Sequence, residues 1–182
     1  GWRMLPGRGI TLVAMILVTN DDGIFAPGMW ALARELQTVD KVVIVAPDRE
    51  QSAIGTAMTL RHPLRVRKAN GVVSGVDAYA VDGTPGDAVL LAVGKLFEGQ
   101  IDLVVSGINE GFNLGDDVLI SGTVGAALQG YLRNLPAMAI SVASSDEANL
   151  DTAARLAALI VRRIKTGGLP TDVFLNVNVP ES

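Results

Sequence analysis

The 182 residues are 49% hydrophobic and 19% charged, with a formal net charge of −4, no cysteine and a single histidine. That size and apolar content suit one globular domain, and the acidity argues against polymeric nucleic acid as a partner. The lack of cysteine removes disulfides, thiolate catalysis and zinc–thiolate sites. His62, within Arg61-His62-Pro63-Leu64-Arg65, reads as a loop or strand-end residue rather than a catalytic base.

Residues 1–14 read as an N-terminal extension ahead of a domain over 15–182, with cleavage of a leader after Ala14 as the competing reading. No apolar run approaches the roughly 20 residues of a membrane span, so a cytoplasmic protein without a membrane partner is expected. Ala14–Thr19 is a short β-branched run that suits a strand buried on both faces. A helix is expected from Pro27-Gly28 to about Val39, its apolar stripe formed by Trp30, Leu32, Ala33 and Leu36. Lys41–Ala46 completes a strand–helix–strand unit, which predicts a parallel sheet with a right-handed crossover.

Ala57–Arg67 and Val72–Val81 read as extended segments around a turn at Asn70-Gly71, a β-hairpin excursion. Thr84-Pro85-Gly86-Asp87 predicts a capped helix start, followed by helix through Val89–Phe97. Ile101–Ser106 is a third buried strand and Gly107–Ser121 a glycine- and asparagine-rich loop. Helix is expected over Thr123–Asn134, strand over Ala137–Ala143, helix over Asn149–Lys165 and a last strand over Val173–Val179. The alternation predicts a doubly wound, mostly parallel α/β fold of Rossmann type, with helices on both faces.

Ligands of open α/β sheets bind outside the carboxyl ends of the strands. The first strand delivers Asn20, Asp21 and Asp22 there, the second Ser52, and the third Gly107, Asn109 and Asn113. Two unit charges about 4 Å apart repel by roughly 4 kcal/mol at an effective dielectric near 20. A hard divalent cation would turn that cost into affinity; a solvated turn is the plainer reading of Asn20-Asp21-Asp22-Gly23. Asn109, Gly111, Asn113 and Gly115 either relax a tight loop or form an anion nest. Ser121-Gly122-Thr123 either caps a helix or holds a phosphate on free N–H groups. Their convergence on one sheet edge suits metal-assisted phosphoester hydrolysis.

The stretches ILVTNDDGI (16–24), APDREQSA (46–53), GTPGDAV (83–89), SGINEGFNLG (106–115), SGTVGAA (121–127) and LNVNVP (175–180) resemble, in content and order, the SurE family of survival-protein nucleotidases. The resemblance implies a divalent-metal-dependent phosphomonoesterase acting on nucleoside 5′- and 3′-monophosphates, in some members also on polyphosphate. It implies one cation per subunit, Mg²⁺ or Mn²⁺ with Ca²⁺ as a substitute, on Asp21, Asp22, Ser52 and Asn109. Asp21, Asp22 and Asn109 are then the catalytic residues, and Asn20, Gly107, Asn113, Ser121, Gly122 and Thr123 the substrate-binding set. Metal-activated water is the expected nucleophile, with Asp21 or Asp22 as the rival. A homodimer or homotetramer is implied, as is a β-rich extension with a C-terminal helix that these 182 residues lack. Thr56, Ile120 and the GTPGD form depart from the family pattern without touching an expected ligand. A phosphoacceptor receiver domain fits less well, because the third strand ends in Ser106 and Lys165 falls on a helix. A non-catalytic nucleotide-binding protein is the other alternative.

Overall fold

The computed structural model describes residues 14–181. The expected extension therefore lies, except for Ala14, outside the described residues. Seven strands form one sheet: β1 (Met15–Thr19), β2 (Val42–Pro47), β3 (Val66–Ala69), β4 (Asp77–Val81), β5 (Ile101–Glu110), β6 (Ala137–Val142) and β7 (Phe174–Val179). Their order is β3-β4-β2-β1-β5-β6-β7, all parallel except the antiparallel β3–β4 pair. The helices are α1 (Pro27–Leu36), α2 (Pro85–Leu91, continued by a π turn over Ala92–Leu96), α3 (Asp117–Ile120), α4 (Gly122–Tyr131) and α5 (Glu147–Lys165).

β1, β2 and β6 are buried along their whole length because helices cover both faces of the sheet. Ile16, Val18 and Ile44 pack with α1 and α5 on one face. Leu17, Val43 and Val104 pack with α2 and α4 on the other. Trp30, Leu32, Ala33 and Leu36 form the buried stripe of α1, and the Trp30 indole donates to Ile24 O at 2.8 Å, pinning the chain after β1 to this helix. The start of α2 is a capping box: Thr84 Oγ1 accepts from Asp87 N and the Asp87 carboxylate accepts from Thr84 N.

Three expectations are corrected. The hairpin is no excursion. Its strands are only Val66–Ala69 and Asp77–Val81, and β4 pairs with β2, so the hairpin is the sheet edge; Arg67 and Lys68 on that outer strand keep it polar. The third long strand does not end at Ser106. It runs on to Glu110, with a register shift between Gly107 and Asn109 in its pairing with β6. A single turn, α3, also breaks the expected loop.

The crossovers do not share one hand. β1→α1→β2 and β6→α5→β7 move in opposite directions across the sheet, yet α1 and α5 pack on the same face. Those two connections therefore have opposite hands. The β4→α2→β5 and β5→α4→β6 connections match the first, leaving the last crossover as the exception to the usual rule. The chain leaves β1 toward β2 on one side and returns through β5 on the other. The topological switch point thus lies between β1 and β5, where such sheets place their ligands.

Candidate functional site

The site begins where β1 ends. Asn20 uses both ends of its amide on one residue: Nδ2 donates to Gly23 O at 3.0 Å and Oδ1 accepts from Gly23 N at 3.2 Å. It is fully buried. Its side chain therefore locks the turn that presents Asp21 and Asp22, and is not free for the phosphate expected of it. Gln51 N donates to Asp21 O at 2.7 Å, which fastens the loop after β2 to the same turn.

α4 closes on this turn from the other side. Ser121 Oγ accepts from Val124 N at 3.1 Å, an N-cap. The Thr123 hydroxyl, fully buried, donates to Asp21 Oδ1 at 2.5 Å. Thr123 is accordingly a partner of Asp21, with its hydroxyl proton engaged there. Between them, Gly122 is required by space: a Cβ there would lie 2.8 Å from Asp21 Cβ and 2.9 Å from Asp21 Oδ2. The Gly122 N–H has no acceptor among the described residues and stands at the positive end of the helix.

β5 supplies Asn109, whose Nδ2 donates to Gly111 O at 2.7 Å and Glu110 O at 3.0 Å. With the nitrogen held by two carbonyls, Oδ1 is left as a free oxygen ligand. Gly107 is buried inside the strand, and a Cβ at its φ of +132° would meet Ile140 O at 2.3 Å; it does not line the cavity formed by Asp21, Ser52 and Asn109. Asn113 is held by three neighbours. Its Nδ2 donates to Ser141 Oγ at 2.9 Å, its N to Asn178 Oδ1 at 2.8 Å, and its carbonyl accepts from Asn176 Nδ2 at 2.8 Å. Ser52 Oγ donates to Glu50 at 2.6 Å, leaving the oxygen's lone pairs available.

Asp21, Ser52, Asn109, Asn113, Ser121 and the half-exposed Phe112 line one cavity of about 220 Å³. Gly122, Thr123 and Asp22 are not on its wall. Among the described residues no Lys, Arg or His comes within ion-pair distance of Asp21 or Asp22. Burial raises the Asp21 pKa, partly offset by the Thr123 hydroxyl and N–H. Burial, then the charges of Asp21, Glu50 and Glu110, push Asp22 up to about 6. The described residues hold no cluster of three or more carboxylate or imidazole ligands. A cation here would take two carboxylates, a hydroxyl and an amide oxygen. That all-oxygen set, carrying uncompensated negative charge, fits Mg²⁺ or Mn²⁺.

Some functional residues were not assigned from the sequence. Glu50 falls in the loop after β2, and only the fold shows it accepting from Ser52 and facing Asp22. The role of Asn176 and Asn178 as the clamp on Asn113 depends on β7 lying beside β6. Their alternation with Leu175, Val177 and Val179 was the available signal: two amides on one face of a strand whose other face is apolar.

Fold and site define a doubly wound α/β protein with an oxygen-rich, carboxylate-bearing site at its switch point. The family model for Survival protein SurE matches residues 16–182, and the chain belongs to the SurE family. It is 58% identical over 168 residues to a 5′-nucleotidase SurE of Dehalococcoides mccartyi (strain CBDB1), covering 91% of this chain and 63% of that protein. It is 52% identical to 5′-nucleotidase SurE of Geobacter sulfurreducens, over 91% of this chain and 62% of that one. The crystal structure of the SurE protein from Aquifex aeolicus superposes with a TM-score of 0.79 at 40% identity, covering 92% of this chain and 66% of that one. The chain thus spans somewhat under two thirds of the length of the curated relatives it matches.

Proposed function

We propose that this chain carries the catalytic site of a divalent-cation-dependent phosphomonoesterase that hydrolyses nucleoside 5′-monophosphates. The observation that carries the reading is the Asp21–Asp22 pair: two partly or wholly buried carboxylates at the switch point, without an ion-pair partner among the described residues, beside free oxygens of Ser52 and Asn109. The names of the related proteins, 5′-nucleotidase SurE, support the substrate class.

A Mg²⁺ or Mn²⁺ ion held by Asp21, Asp22, Ser52 and Asn109 would neutralise the phosphate and make water a better nucleophile. The remaining work falls to the chain. Thr123 holds Asp21 in one rotamer and favours its ionised form. The carbonyls of Glu110 and Gly111 fix which end of the Asn109 amide faces the cavity. The Gly122 N–H offers a donor to an anionic oxygen at the positive end of α4. Phe112 gives the cavity an apolar wall against which a ribose or base can rest. Among the described residues no helix is long and apolar enough to cross a membrane.

The test is phosphate release from 5′-AMP, 3′-AMP and p-nitrophenyl phosphate with Mn²⁺, Mg²⁺ or EDTA. Release from 5′-AMP that requires the cation is expected. Release that is equal in EDTA, or absent at saturating Mn²⁺ in the folded protein, would overturn the proposal.

A further inference from the structure

A second cavity, of about 440 Å³, opens on the other side of the loop after β2. Its volume is roughly fifteen times the ~30 Å³ share of a liquid water. Arg49 and Gln51 line it from that loop, His62 and Arg65 from the segment before β3, and Asp82 and Thr84 from the turn into α2. In a protein with net charge −4, this wall is cationic. No Asp or Glu occurs between Glu50 and Asp77, while Arg61, Arg65, Arg67 and Lys68 all fall in that interval.

The cations are only loosely matched inside the molecule. Arg49 and Arg67 share the one carboxylate of Asp48, each at 3.4 Å, and both guanidinium groups are largely exposed. Among the described residues the Arg65 guanidinium reaches no carboxylate. The one acid on the wall, Asp82, instead accepts from the Arg65 backbone N–H at 2.5 Å. Thr84 is also committed, its hydroxyl donating to Ala57 O and its N–H to Asp87. Among the described residues the Arg65 guanidinium and the His62 imidazole therefore line an open cavity without an internal carboxylate partner, and Arg49 shares its one partner, Asp48, with Arg67. Guanidinium forks suit the paired oxygens of phosphate groups.

We propose that this cavity is an anion site for a small molecule carrying two or more linked phosphates, separate from the Asp21–Asp22 site. Arg49 and Arg65 are its principal ligands. It stands whether or not the chain is a phosphatase, because it rests on cations that the Asp21–Asp22 site does not use. It shares the 49–52 loop with Ser52, so an occupant contacts the outer side of the segment whose inner side faces Asp21.

The test is calorimetric titration of the protein, freed of cations on chelating resin, with inorganic pyrophosphate and separately with inorganic phosphate. One pyrophosphate per chain is expected, bound more tightly than phosphate. Arg49→Gln/Arg65→Gln should weaken it at least tenfold. Asp21→Asn should leave it unchanged. Arg61→Gln/Lys68→Gln removes the same charge from outside the cavity wall and should change affinity less than about threefold. The melting temperature of each variant reports its folding. The proposal is overturned by absence of saturable pyrophosphate binding, by equal losses in the two double variants, or by loss in Asp21→Asn with retention in Arg49→Gln/Arg65→Gln.

Discussion

At the amino edge of the sheet, Asp40 and Asp102 face Lys165, which donates to them at 2.6 and 2.7 Å. At the carboxyl edge, Asp21 and Asp22 stand together, and among the described residues neither forms an ion pair with a Lys, Arg or His. Burial acts to raise Asp40, but the Lys165 hydrogen bond, the Lys41 N–H and the Lys165 charge outweigh it and hold that carboxyl below the usual range. Asp22 moves the opposite way, to about 6. The same residue type is thus a satisfied ion-pair member at one end of the strands and an uncompensated anion at the other. The first pair carries its own cation and has structural work to do. The second pairs with none among the described residues, which is the arrangement the proposed cation would complete.

The comparison is broken most severely by neutralising the carboxyl edge. Asp21→Asn or Asp22→Asn should lower cation-dependent turnover on the order of 10³-fold, about 4 kcal/mol of barrier. The cation-free melting temperature should stay level or rise, because a like-charge repulsion is removed. A large fall in stability with turnover retained would show these residues to be structural.

Lys165→Gln disturbs the other edge. Two carboxylates lose their common donor, and with all three groups partly exposed the expected loss is about 1–2 kcal/mol in urea denaturation. Because the folded Asp40 is held below its unfolded value, the stabilisation is present above the unfolded pKa and lost as pH falls through the folded one. The wild-type minus Lys165→Gln difference should therefore shrink below about pH 4. Turnover per folded molecule should not change.

The last effect is read in cation-free protein. Asp22 has a raised folded pKa, so its contribution to stability is fully present below the unfolded value near 3.8 and is lost as pH rises through about 6. Wild type should lose stability relative to Asp22→Asn between about pH 4 and 6. Saturating Mn²⁺ should reverse that trend, because it binds the ionised form. A flat difference in both conditions would mean that Asp22 is solvated like any surface carboxylate.

Much of this contrast was legible in the chain. The apolar runs of β1, β2 and β6 could be read directly because both faces are buried. Thr84 and Asp87 announced their cap through a spacing that is purely local. Asp21, Asp22, Ser52 and Asn109 could be placed on one edge because parallel strands bring their carboxyl ends together. What could not be read depended on tertiary distance. Thr123 looked like a phosphate contact because it opens a helix; its hydroxyl turns to a residue 102 positions away. Asn20 looked like a ligand, but Gly23 takes both ends of its amide. The continuation of β5 through Gly107 was hidden by a glycine and asparagine composition that reads as loop. The face of the sheet taken by α5 has no sequence signature, since its amphipathic stripe suits either side.

Cation binding at the carboxyl edge of the sheet is the central proposal. The most direct measurement is titration of metal-free protein with Mn²⁺, followed by electron paramagnetic resonance of the free ion, in wild type and in Asp21→Asn. One Mn²⁺ bound per chain in wild type, with affinity weakening as pH falls through about 6 and lost in Asp21→Asn, is the predicted result. Binding of equal strength in Asp21→Asn, or no binding by wild type, would contradict it.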